Sequence, residues 1–234
     1  MMKKIKQLIS LSLFALSSTL LLAQVENIEL KSFDRIDIAT GVEVEILEGQ
    51  PRAEVRMVKG DFSDLVVKVR DSELTLKFKS QKWGWNNSNR KAKIKVYTNR
   101  NIKSLEASAG ATVYSDLDFE VDVFKVSVSS GASAELGIEA EKVKAKASSG
   151  ATLHIEGSTT RLVVDASSGA TLNAKKLNAE SVDADASSGA SITVWASEDI
   201  SANSSSGASV KYKGNPPSKD LSASKYSGGS IRKL

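Results

Sequence analysis

Asp183 and Asp185 stand two residues apart, which places both carboxylates on one face of an extended strand, and Asp165 lies 20 residues before Asp185. Twenty residues is about one repeat of this chain, so the three carboxylates fall within roughly 5–8 Å of one another on adjacent coils. Such a trio suits Ca²⁺ or, with one raised and one lowered pKa, cleavage of a polysaccharide. It serves equally as a solvated face balanced by Lys144 and Lys146. His154, the only histidine, falls outward between Glu135 and Asn173 and has no nucleophile column or second histidine to work with. Two of the three tryptophans, Trp83 and Trp85, sit with Asn86 and Asn87 in a polar stretch from Ser80 to Lys91. Aromatic rings beside amides suit a sugar, whose apolar face stacks while its hydroxyls hydrogen-bond; the same rings also serve to cover the end of a core. No phosphate-cradling loop occurs, because the glycines recur at intervals and precede strands rather than a helix.

The elements that must position these groups are set by a recurring phrase. Ser129-Ser130-Gly131-Ala132 returns at Ser148, Ser167, Ser187 and Ser205, preceded by Ser108-Ala109-Gly110-Ala111 and followed by the worn copy Ser227-Gly228-Gly229-Ser230. Aligned with Gly229 in the last copy, the glycines are 21, 19, 19, 20, 18 and 22 residues apart. That period belongs to stacked solenoid coils. Odd positions relative to glycine are apolar and small: Val143, Ala145 and Ala147 before Gly150, then Ala151, Leu153 and Ile155 after it. They predict a narrow interior, where a larger side chain would collide with the coil about 4.8 Å above. Even positions face out and carry a serine two before each glycine, and Thr112, Ser133, Thr152, Thr171, Ser191 and Ser209 two after. This ladder of hydroxyls matches a repeating ligand, or satisfies the corner backbone itself. Glycine is expected at the corner because it accepts positive φ or a close backbone.

Residues 1–23 read as a secretory signal peptide, with Lys3, Lys4 and Lys6 ahead of an apolar stretch from Leu8 to Leu22. Its removal takes three of the 32 basic residues and none of the 28 acidic ones, leaving 29 against 28, or +1. Composition then gives no case for nucleic acid or anionic lipid, which need a concentrated basic face. The chain has no cysteine, so cohesion rests on stacked coils and not on disulfides or thiolate metal sites. Residues 24–100 form a β-rich region: a first coil around Ile36 to Ile46, then a meander with a hairpin turn at Asp71-Ser72 that closes the first coil. Residues 101–234 form the Ser-Gly-Ala repeat region, ending after Pro216 and Pro217 in an irregular coil that serves as a cap.

Thr40-Gly41-Val42-Glu43-Val44 near the mature start, the hairpin around Asp71, the Ser-Gly-Ala coils and Tyr212-Lys213-Gly214-Asn215-Pro216 together resemble the GIN-domain family of auto-transporter adhesin head domains. The resemblance covers about residues 24–234. It implies an all-β fold, a right-handed parallel β-helix of about 20-residue coils with an N-terminal antiparallel meander, and an adhesive role. It carries no catalytic residues to transfer, and no run of membrane-barrel strands follows the repeats. The expectation is an exported, non-catalytic adhesion or ligand-binding module at the bacterial cell envelope. Its partner is a glycan or other cell-surface ligand, with no cofactor, no nucleic acid and no membrane-spanning segment once the leader is gone; the oligomeric state is open. The competing class is a polysaccharide lyase or hydrolase acting through Asp165, Asp183 and Asp185.

Overall fold

The computed structural model describes residues 25–79 and 90–234. The leader expected over residues 1–23 and the segment with Trp83, Trp85, Asn86 and Asn87 lie outside the described residues. Among the described residues there are sixteen strands and no α-helix. The chain starts with β1 (Val25–Glu29), β2 (Arg35–Ile38), β3 (Glu43–Glu48) and β4 (Arg52–Lys59). After a 3-10 turn come β5 (Leu65–Arg70), β6 (Glu73–Phe78), β7 (Lys91–Thr98) and β8 (Ser104–Ala107). The repeats supply β9 (Thr112–Val128), β10 (Ser133–Ala147), β11 (Thr152–Ala166), β12 (Thr171–Ala186) and β13 (Ser191–Ser204). The chain finishes with β14 (Ser209–Lys213), β15 (Ser218–Ala223) and β16 (Ser230–Lys233).

From β9 to β16 every pairing is parallel, which makes the repeat region a β-solenoid. Each coil enters a serine corner on a leading face and leaves it on a trailing face. The interior follows the alternating pattern: Val143, Ala145, Ala147, Ala151, Leu153 and Ile155 are all buried, and the alanines after each corner glycine are about 1 % exposed. Within β9 the buried Phe119 and Phe124 stack with ring centroids 5.2 Å apart.

The corner is tighter than glycine alone explains. Ser149 and Gly150 have φ of 52° and 70°, and the Ala151 N–H donates to the Ser148 carbonyl at 3.1 Å. Two successive positive φ values closed by that bond are the signature of a type I′ turn. All seven corners from Thr40-Gly41 to Ser206-Gly207 share the two positive φ values, and the six from Ala109-Gly110 onward share the closing bond. Nothing lies within 4 Å of a Cβ built on Gly150, so glycine is there for its φ and not for a close approach. Each corner also bonds to the next, with the Gly150 N–H donating to the Ser168 carbonyl at 3.0 Å. The last coil corrects the alignment by one residue: the Gly207 N–H donates to the Ser227 carbonyl, and Gly228, with φ of 74°, takes the corner instead of Gly229.

Unequal coil lengths are absorbed away from this corner. Register shifts fall between Glu135 and Gly137, between His154 and Glu156, and between Ala174 and Asn178, all at the far bend. There Gly157, with φ of 116°, brings its backbone so close to the coil below that a Cβ would lie 2.2 Å from the Ile138 carbonyl oxygen.

At the N-terminal end the antiparallel meander is present, with β5 against β6, β4 against β7 and β1 against β4. Two of its strands do more than cover the first coil. β6 pairs in parallel with β2, and β7 with β3, so β6 and β7 form a coil of their own below it. The hairpin at Asp71-Ser72 is a two-residue turn with φ of 48° and 61°. Just past the end of β6, Arg90 donates to the Lys79 carbonyl at 3.0 Å and lies over the Phe78 ring. At the other end β15 pairs with β13 and β16 with β14. The last coil is thus a genuine turn of the solenoid, and its far edge has no partner strand among the described residues.

Candidate functional site: a polar groove beside the serine corner

On the leading face, the outward residue four before each corner glycine stacks in register from coil to coil. Above Asp37 and Glu106 the column reads Ser127, Lys146, Asp165, Asp185 and Asn203, and it ends on Ser222, which pairs with Asn203 but stands six residues before Gly228. Beside it runs the half-buried serine column of Ser148, Ser167, Ser187 and Ser205. The two columns line one shallow groove of about 510 Å³ that continues to Ser224. Strand spacing of about 4.8 Å fixes the step along it, so Ser127 to Ser222 spans about 24 Å. The Lys146 ammonium lies 3.6 Å from an Asp165 oxygen, and the Asn203 amide donates to Asp185 at 2.9 Å. A hydroxyl, an ammonium, two carboxylates, an amide and a hydroxyl therefore follow one another at regular intervals. That arrangement can hydrogen-bond an extended, hydroxyl-rich polymer without any deep pocket.

The structure brings Asp165 and Asp185 side by side, and Asp183 lies two residues from Asp185 on the same face, paired across to Val163 and Ser201. Among the described residues no three His, Asp or Glu side chains gather closely enough to hold a metal ion. His154 stands between Glu135 and Asn173, in the register expected, over a smaller hollow of about 230 Å³ with Glu156 and Lys176. Glu156 accepts from Lys176 at 2.9 Å, and that hydrogen bond holds the ammonium above its ordinary pKa. Nearby, the half-exposed Tyr114 phenol is pushed up by its hydrogen bond and charge interaction with Asp116. Both groups hold their protons more firmly than usual, so neither is activated as a nucleophile. The Thr and Ser column of the trailing face also stacks in register, with the Ser191 and Ser209 hydroxyl oxygens 3.5 Å apart.

Sequence reasoning missed Asn203, Ser222 and Ser224 as members of the groove, although counting four or two residues back from each corner reaches the first directly. It also left out Trp195. That ring sits six residues after Gly189, and Lys213 six after Gly207; the repeat pairs them, with the ammonium 3.7 Å from the ring centroid.

Residues 32–216 match the family model described as "Putative auto-transporter adhesin, head GIN domain". The chain belongs to this family. Solved structures share the fold of this GIN-domain protein at low identity. An adhesin-type protein from Bacteroides fragilis NCTC 9343 is 20 % identical with a TM-score of 0.74, covering 90 % of this chain and 96 % of its own. One from Parabacteroides merdae ATCC 43184 is 15 % identical with a TM-score of 0.70, covering 90 % and 95 %. A protein from Parabacteroides distasonis ATCC 8503, described as "Putative lipid binding protein", is 19 % identical with a TM-score of 0.66 and covers 90 % and 96 %. No curated protein sequence matches the chain. Among the described residues no helix is long and apolar enough to cross a membrane.

Proposed function

We propose that this GIN-domain protein is an exported, non-catalytic adhesion module of the cell envelope that binds a carbohydrate along the groove beside its serine corner. Membership of an adhesin family supports the adhesive role, and the apolar stretch with Lys3, Lys4 and Lys6 supports export. The observation that carries the ligand class is the in-register column from Ser127 to Ser222, a row of hydrogen-bond donors and acceptors at even spacing on a rigid scaffold. Polysaccharides are long, flat and hydroxyl-rich, and a preorganised ladder binds them without ordering loops. Trp83 and Trp85, with Asn86 and Asn87, supply a second contact in this reading, because aromatic anchors concentrate binding energy and amides hydrogen-bond sugar hydroxyls.

A glycan array probed with residues 24–234 and with the Asp185→Ala, Asn203→Ala variant tests this. Specific glycans retained by the parent chain and lost by the variant are expected. Trp83→Ala with Trp85→Ala is expected to weaken attachment by roughly 1–3 kcal/mol with the fold intact. Turnover of an acidic polysaccharide that disappears when Asp165, Asp183 and Asp185 are changed to alanine would replace this function with an enzymatic one.

A further inference from the structure

We propose that the C-terminal end of the trailing face carries a second binding site, separate from the serine-corner groove, for an anionic polysaccharide of the uronate type. It is built from Trp195, Lys211, Lys213 and Arg232. Lys211 pairs with Arg232 on the next strand, and Trp195 with Lys213, so three cations and an indole gather over three adjacent coils. The Lys213 ammonium rests 3.7 Å above the Trp195 ring. Gly214 lets the chain pass the indole, since a Cβ there would lie 3.2 Å from the ring and 1.9 Å from the Ala196 carbonyl oxygen.

These cations differ from those at the N-terminal end of the same face. At its N-terminal end Lys91, Lys93 and Lys95 are each answered by Glu43 or Glu45, whereas Lys211, Lys213 and Arg232 form no ion pair among the described residues. Residues 1–24 and 80–89 contain no aspartate or glutamate to supply one. Residues 205–234 carry six basic residues and one acidic residue, Asp220, so a mature chain of nearly balanced charge concentrates positive charge at one end, a segregation that composition hides. One indole with a few cations fits a sugar that offers an apolar pyranose face and one carboxylate per unit. Nucleic-acid binding needs a longer basic stripe and several stacking rings.

The test is binding of the full chain to polygalacturonate, with neutral dextran and single-stranded DNA as the other probes. Polygalacturonate is expected to bind at low ionic strength and to be released by salt, as screened surface charge requires. Changing Lys211, Lys213 and Arg232 to glutamate together should weaken it by roughly tenfold or more, and Trp195→Ala comparably. The Asp185→Ala, Asn203→Ala change in the corner groove should leave it untouched, which separates failure of this site from failure of the groove. Glutamate at Lys125, Lys142 and Lys144, an equal change of net charge on the leading side, should also leave it untouched. The charge reversals alter solvent-facing side chains, so they remain informative if Trp195→Ala fails to fold. Absence of polygalacturonate binding, equal loss in the Lys125 set, or tighter binding of DNA would overturn the proposal.

Discussion

Ser149 and Gly150 carry the strain of the corner together, with φ of 52° and 70°. Serine pays a steric cost in that region that asparagine tolerates better. Ser149→Asn is therefore expected to raise stability by a few tenths of a kcal/mol, read by urea denaturation. Gly150→Ala meets open space but keeps an unfavourable φ, and should cost about 1 kcal/mol. Gly157→Ala drives a Cβ to 2.2 Å from the Ile138 carbonyl oxygen, and should cost at least about 3 kcal/mol. Equal losses at the two glycines would show that φ and close approach have been assigned to the wrong positions. Inside the stack, Ala151→Leu or Ala170→Leu should cost about 2–3 kcal/mol by overpacking, while Ser167→Ala on the outer face costs little. A thermal unfolding series in which both faces respond alike would contradict the inward and outward assignment.

Among elements, β3 and β7 are joined by ion pairs as well as by their ladder. Lys93 donates to Glu43 at 2.6 Å, and this hydrogen bond, which outweighs desolvation and is aided by the charges of Lys93 and Lys91, holds the Glu43 carboxyl below its ordinary value of 4.5. A depressed folded pKa contributes stability above the unfolded value near 4.5 that is lost as pH falls through the folded value. The side chain is 38 % exposed, so screening keeps the effect to about 0.5 kcal/mol. Glu43→Gln should lower stability by about that much at pH 7, with the two denaturation curves converging on acidification. A gap that persists at low pH would place the effect in packing and not in charge. The pairing of β3 with β7 was also where the sequence was least readable. Val42 to Ile46 and Ala92 to Tyr97 show their strands by alternation, but alternation fixes a strand's faces and not its neighbour. Nothing in it says that β6 and β7 return beneath the first coil, because that placement depends on a long connection through β4 and β5.

At the scale of the molecule, periodicity made the solenoid legible: once Val143, Ala145 and Ala147 are inside, Lys144 and Lys146 must be outside. The same arithmetic set Asp165 beside Asp185 and His154 between Glu135 and Asn173. It did not show which of the outward columns borders a groove, since that follows from the backbone path at the corner and not from residue type. The register shift after Ala174 likewise hid the bend on which Trp195 sits. The central claim, that a carbohydrate lies along the column from Ser127 to Ser222, is tested most directly by affinity against oligosaccharide length, using the best array hit. Affinity should climb with length until the sugar spans the groove of about 24 Å and then level off, and the Asp185→Ala, Asn203→Ala variant should flatten that rise. Affinity that stays the same from one sugar unit upward, or a rise unchanged in the variant, would contradict it.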